Sequence, residues 1–365
     1  MKQRNPAMDL IRCLCIIFVV AEHFFKHSNF YDYTVTGTSM IFMVMCRCLC
    51  MVCVPLYLML SGYFQGKKTL SRSYYKGLIP LIVVYLMVSF LTMGLEALIS
   101  PETFSLKEAL WGILSFSTAN YAWYVEMYIG LFLLIPFLNG MYHSIRGKKK
   151  KTCFIWTLLV LAIIPGVLNS WNLTSLDWWK HPGSSAEFTQ IFPEYWIFLI
   201  PLVYYFLGMY LKEYPLKLKA LPNFLLIVAV LALQTAINYY RSYGYVFQVG
   251  FWSDYGALPI TVLGVLLFSF FQNRDYSFMG QKARRFFAYC STLVYGAYLC
   301  SGLVDLVAYP ILDMILPRFH IRFRFYPLIV LVIVTGSLIL SAGVNAVYKQ
   351  LEKLWTRKNT GKAES

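Results

Sequence analysis

The chain has 365 residues, of which 59% are hydrophobic, 18% aromatic and only 13% charged. A soluble domain carries about 25% charged residues, so the composition excludes an ordinary soluble globular protein. The net charge of +15 would suggest nucleic acid in a soluble chain, but the placing of the 32 Lys and Arg points elsewhere.

Apolar stretches recur along the whole length, each near the roughly 20 residues that carry a helix across a hydrocarbon core. In chain order they predict about ten spans, at 8–25, 40–63, 78–100, 121–143, 153–170, 193–211, 221–240, 255–272, 287–309 and 325–348. Every backbone polar group must be satisfied inside lipid, so the expected fold class is all-α, a polytopic integral membrane protein. The first stretch has no small-residue cleavage site behind it and holds polar residues, unlike a signal-peptide core, so it is expected to remain as a span. After Pro101, the segment TFSLKEALWGILSF reads as a short interfacial helix that starts at the proline, with Trp111 at headgroup depth. The longest loop, 171–192, is polar and aromatic and contains an Asn172-Leu173-Thr174 sequon, a weak signal in any chain. One membrane domain is expected over 1–348, followed by a basic cytoplasmic tail over 349–365 that frays. There is no convincing internal repeat.

Alternating the ten spans from a cytoplasmic N-terminus puts most of the cations on one side. The other side holds Lys26, Lys107, Lys180, Arg241, Arg318, Arg322 and Arg324, and Arg12 and Arg47 fall within spans. This asymmetry predicts both ends in the cytoplasm of a plasma-membrane protein. It also explains the cations without nucleic acid, and the run RGKKKK (146–151) reads as topology or anionic-lipid contact. The group Arg318, His320, Arg322 and Arg324 breaks the pattern. It reads as an outer basic patch for an acidic glycan or lipid phosphate, or as a sign that the last two spans are misplaced. The nine cysteines lie within spans or, for Cys153, at the start of one, so no disulfide framework is expected. Cys46, Cys50 and Cys53 share a helical face, where they read as a metal cluster or as small packing residues. No histidine sits beside them, no HExxH, paired CxxC or Walker A pattern occurs, and no metal site is expected.

The first span holds Asp9, Arg12, Glu22 and His23. A charge near the bilayer centre costs at least about 2.5–3.5 kcal/mol on insertion scales, so such residues call for an explanation. Arg12 and His23 are eleven positions apart, which is three helical turns with about 20° of drift and about 16 Å of rise. They therefore share one face near opposite ends of the span. One reading is structural: Arg12 snorkels to headgroups and His23 bonds a neighbouring helix. The other is a reaction path, in which Arg12 holds an anionic donor and His23 takes a proton from a hydroxyl. Asp9, one turn from Arg12, would orient it. Glu126, in the fourth span beside Trp123 and Tyr124, is a further intramembrane carboxylate, able to polarise His23 or to pair with Arg12 or Arg47.

The Arg-x10-His spacing resembles the first-span signature of the acyltransferase-3 family of membrane acyltransferases. The likeness continues in order through VPLYLMLSGYF (54–64), SRSYYKGLIPLIV (71–83), AWYVEMYIGLFLLIPFLN (122–139), YFLGMYLKEYP (205–215) and STLVYGAYL (291–299). The resemblance implies transfer of an acyl group, commonly acetyl, from cytoplasmic acyl-CoA to a hydroxyl of a cell-surface or exported carbohydrate or lipid-linked glycan. It implies functional roles for Arg12 and His23. Catalysis would rest on His23 and Arg12, with Glu126. Acyl-CoA would be held by Arg12, Arg72 and Lys76, although the charge asymmetry explains the last two equally well. Trp123, Tyr124 and Tyr298 would contact the acceptor. One departure from the family pattern is Ser301, which stands where many members carry a histidine after Gly-x-Tyr-Leu. Some members carry a fused extracytoplasmic domain that completes transfer. Here a short tail follows the tenth span, so the chain is expected to acylate the acceptor itself or to pass the group to a partner. Two rivals fit the spans as well: a transporter or flippase for a lipid-linked sugar, and an inactive scaffold of the same fold.

Overall fold

The computed structural model describes residues 4–102, 104–118 and 121–360, with side chains through residue 355. Helix α1 (Pro6–His27) begins where Asn5 accepts a hydrogen bond from the Ala7 amide and Pro6 occupies the first turn. Asp9 in the first turn and Lys26 and His27 in the last complement the helix dipole. Next come α2 (Gly37–Cys50) and α3 (Cys53–Gln65). The span expected over 40–63 is present as one apolar stretch, Gly37–Gln65, with its helix interrupted at 51–52. Pro55 has no N–H to give to the Met51 carbonyl, and its ring crowds that carbonyl. Helices α4 (Arg72–Tyr75), α5 (Leu78–Ile99), α6 (Leu106–Leu114) and α7 (Trp123–Ser144) follow. A helix, α6, stands where the interfacial helix was expected. It starts at Leu106 rather than at Pro101, because Ser105 receives the Glu108 amide as an N-cap. Trp111 on it is exposed.

The chain continues through α8 (Lys148–Ala162), α9 (Ile164–Leu168), α10 (Ile200–Glu213), α11 (Ala220–Ser242) and α12 (Leu258–Gln272). It ends with α13 (Gln281–Ile315), α14 (Phe319–Arg324) and α15 (Tyr326–Thr360). Among the described residues there are isolated bridges, Thr34 with Val246 and Val35 with Tyr243, but no named strand. The protein is all-α and polytopic. Among the described residues, seven helical stretches are long and apolar enough to cross a membrane: Gly37–Gln65, Arg72–Ile99, Trp123–Ser144, Lys148–Leu168, Ala220–Ser242, Gln281–Ile315 and Tyr326–Trp355. Helices also stand at the other three expected places. However, α10 and α12 are 14 and 15 residues long, and α1 carries Asp9, Arg12, Glu22 and Lys26. The basic tail, expected to fray, continues as helix to Thr360.

The chain divides into two compact units, Met1–Lys68 with Leu138–Phe287, and Thr69–Phe137 with Ala288–Ser365. In the first, α3 and α10 form the broadest interface. Its cause is a reciprocal pair of glycines. A Cβ on Gly62 would lie 2.8 Å from the Tyr205 carbonyl carbon, and one on Gly208 would lie 2.6 Å from that of Met59. Bare backbones therefore touch, as in small-residue crossings of membrane helices. Asn139 of α7 caps α3: its amide donates to the carbonyls of Gln65 (2.8 Å) and Lys68 (2.7 Å), and its oxygen accepts from Tyr205 (2.8 Å). Lys151, read from sequence as part of a topology run, is instead buried. Its ammonium pairs with Glu213 at 2.6 Å and lies over the Tyr142 ring.

In the second unit α15 packs on α5, and α13 is tied to α15 by Ser341, whose hydroxyl donates to the Leu293 carbonyl. Arg322 is not part of an exposed basic patch. It is buried, pairs with Asp313 at 2.5 Å and donates to the Leu316 carbonyl just beyond α13.

Candidate active site

At the N-terminal end of α1, Asp9 is buried and receives the Arg4 guanidinium at 2.8 Å and the Arg12 guanidinium at 3.5 Å. Arg12 also lies over the Phe64 ring, 4.3 Å from its centre, and keeps 30% of its side chain exposed. A carboxylate one turn back and an aromatic face from the end of α3 thus position a cation that still reaches outward. Beside it, Lys212 of α10 donates to the Tyr63 carbonyl and sits over the Tyr63 ring, while Asn5 reaches the Tyr63 hydroxyl.

Three turns along the same helix His23 is buried at 9% exposure. Glu22, unassigned in the sequence, points about 100° away and serves another interface. Tyr31, between α1 and α2, donates to Glu22 at 3.4 Å and accepts from Arg47 at 3.2 Å. Burial raises the Tyr31 phenol above its ordinary pKa, which keeps it a donor. Arg47 donates to the Ser253 carbonyl at 2.7 Å and lies over Phe247. A buried arginine with these partners is committed to holding α1, α2 and the 247–253 segment together.

The other sequence-expected residues belong to the second unit. Tyr74 stacks on Phe132 at 4.4 Å and donates to the Phe132 carbonyl at 2.6 Å, which pins α4 on α7. Ser71 caps α4, and Arg72 and Lys76 at its two ends are exposed, with no ion-pair partner among the described residues. Glu126 is exposed in the first turn of α7, where the helix dipole favours a carboxylate, and its side chain makes no hydrogen bond or ion pair among the described residues. Trp123 is exposed. Tyr124 and Tyr298 come together edge-to-face, 6.0 Å between ring centres. Tyr298 is buried, and its hydroxyl donates to the Tyr121 carbonyl.

Tyr121 in turn donates to Asp305 at 2.9 Å. Asp305 is a buried carboxylate that sequence reasoning missed, although Gly-Leu-Val-Asp within an expected span carried the signal: an acidic residue at membrane depth. Ser301 is buried and turned to the Tyr298 carbonyl at 2.7 Å, so it fills its position by packing. Gly296 of the same motif faces Ser341, whose hydroxyl a Cβ would strike.

Among the described residues no group of histidine, cysteine and acidic side chains is arranged to hold a metal. A family model described as an acyltransferase domain matches residues 5–344. No curated protein and no solved structure matches the chain.

Proposed function

Because the chain belongs to the acyltransferase-3 family, whose model spans residues 5–344, and is therefore an acyltransferase, we propose that it is a membrane O-acetyltransferase. It moves an acyl group from cytoplasmic acyl-CoA to a hydroxyl of a cell-surface or exported carbohydrate. Arg12 holds a phosphate of the donor, with the exposed Arg72 and Lys76 as further cations on the cytoplasmic side. His23 takes the proton of the attacking hydroxyl. As that oxygen bonds to the thioester carbonyl carbon, the carbon–sulfur bond breaks and the imidazolium returns the proton to the departing CoA thiolate. Glu126, Trp123, Tyr124 and Tyr298 stand as acceptor-side candidates. Both termini lie in the cytoplasm.

The observation that carries this reading is the disposition of α1. A partly exposed, pre-oriented arginine and a buried histidine share one face about 16 Å apart. In CoA a long flexible pantetheine arm separates phosphates from thioester, so a cation and a base set apart along one face match the two ends of that donor. A carrier that only moves a sugar has no need of this pairing. The experiment is transfer of radiolabel from acetyl-CoA to glycan by membranes bearing the wild type or His23→Ala. Label and free CoA released only with the wild type support the reading. Equal labelling removes His23 from the mechanism.

A further inference from the structure

The second unit contains a cleft of about 400 Å³ at the C-terminal end of α5, inside the size range of small-molecule sites. It is walled by Glu96, Ser100, Glu108, Ser117 and Thr118, with Phe104 among its apolar members. The cleft is built rather than incidental. Tyr85 donates to the Ile113 carbonyl at 2.7 Å and stacks on Phe116 at 4.8 Å, which anchors the end of α6 to α5. The turn after α6 folds back so that the Ser117 and Thr118 amides both bond the Gly112 carbonyl. Only a glycine fits at 112, because a Cβ there would strike the Thr118 hydroxyl.

Two features of the lining point to a ligand. The first is Glu96, in the last turn of α5, where the helix dipole disfavours a carboxylate. It has no hydrogen-bond or ion-pair partner for its side chain among the described residues, so helix stability does not account for it. The second is the sign of the charge: among the described residues the charged groups in the wall are Glu96 and Glu108, both acidic. Hydroxyl and carboxylate oxygens accept hydrogen bonds from sugar hydroxyls and ammonium groups, and two uncompensated carboxylates repel an anion. The place is also apt. Helix α5 is 22 residues long, about 33 Å, which is close to the thickness of a hydrocarbon core. Arg72 and Lys76 precede one end of it, and the cleft lies at the other.

We propose that this cleft binds the acyl acceptor as a neutral or amino-bearing saccharide and excludes polyanionic glycans. The proposal rests on the acyltransferase reading for the acceptor and its saccharide class, and on the two carboxylates of the cleft for the charge preference. The site lies at the opposite end of α5 from Arg72 and Lys76, with Glu96 and Glu108 as its specificity-determining residues.

The test is equilibrium binding of three labelled tetrasaccharides to the purified full-length protein: glucosamine, N-acetylglucosamine and galacturonate oligomers. The expected order is glucosamine tightest and galacturonate at least tenfold weaker than the neutral oligomer. Glu96→Gln with Glu108→Gln, which keeps shape, lowers glucosamine affinity about tenfold or more. Ala109→Trp fills the cleft and abolishes binding. Absence of saccharide binding by the wild type, equal binding of the three oligomers, or unchanged binding in the Glu96/Glu108 variant overturns the proposal. Acyl-CoA consumption is followed in parallel. A protein that binds the saccharide but consumes no acyl-CoA retains the cleft and loses the acetyltransferase reading. A protein whose transfer keeps its acceptor KM in Ala109→Trp retains the chemistry and loses the cleft.

Discussion

The α3–α10 crossing offers a test in which two effects of one substitution have opposite signs. Gly→Ala inside a helix is favoured by propensity by about 1 kcal/mol. At Gly62 and Gly208 the added methyl meets the facing backbone: its carbon would sit 2.8 Å from the Tyr205 carbonyl carbon or 2.6 Å from that of Met59, where ordinary contact begins near 3.4 Å. Backbone cannot rotate out of the way, so the helices must part by most of an ångström. Overpacking of this kind costs about 1–3 kcal/mol and occasionally more. Separation also strains the Tyr205–Asn139 bond and hence the cap on α3. The expected net effect of Gly62→Ala or Gly208→Ala is therefore a loss of up to about 2 kcal/mol after the propensity gain is subtracted, and more where overpacking exceeds its usual range. Gly94, Gly140 and Gly343 lie in helices with open space around the would-be Cβ, and they serve as internal controls. Thermal unfolding of the purified protein in one detergent reads all five variants. Lowered midpoints at 62 and 208, with unchanged or raised midpoints at 94, 140 and 343, are expected. A Gly62→Ala protein as stable as Gly140→Ala would refute the backbone-contact account.

Other substitutions probe single contacts. Asn139→Ala removes two carbonyl partners at the end of α3 and strands the Tyr205 hydroxyl, a loss of about 1–3 kcal/mol seen as a lowered unfolding midpoint. Arg12→Lys keeps the charge but loses the planar fork between Asp9 and Phe64, so the KM for acyl-CoA should rise with little change in that for acceptor; unchanged donor kinetics would speak against donor binding there. Arg322→Gln breaks the buried pair with Asp313 and should lower stability without altering affinity for an anionic glycan, whereas lost glycan affinity would restore the basic-patch reading. Tyr121→Phe deprives Asp305 of a 2.9 Å donor and should destabilise the protein by about 1–3 kcal/mol, measured by the same unfolding assay.

The sequence motifs were legible as an ordered set, yet their individual roles were not. Gly62 and Gly208 stand in two of the quoted motifs and meet across one interface, although they are separated by long stretches of chain. Asn139, at the end of a third motif, caps the helix that carries the first. No local pattern shows that three motifs form one packing unit, because the contact is made between helices and not within them. The Arg12–Asp9 pair was legible because a neighbour one turn back is a local relation. Phe64 and Arg4, which complete it, were not singled out: one comes from α3, and the other precedes the first turn and read as a topology cation. Lys151 read as a topology or anionic-lipid cation, and Arg322 as part of an outer basic patch or a sign of misplaced spans, yet each is buried against a carboxylate brought to it by folding.

What the sequence determined alone is the class of molecule and the places of its helices. Apolar length and the scarcity of charge are sums over neighbours along the chain, and lipid forces any such stretch to close its backbone hydrogen bonds on itself. The one-face relation of Arg12 and His23 belongs to the same category, since helical periodicity alone sets it. The tertiary structure decided which charges are paired, which glycines are contacts, and where a polar cleft opens beside α5. Those properties depend on which helix faces meet, and side chains far apart in the chain settle that together through packing.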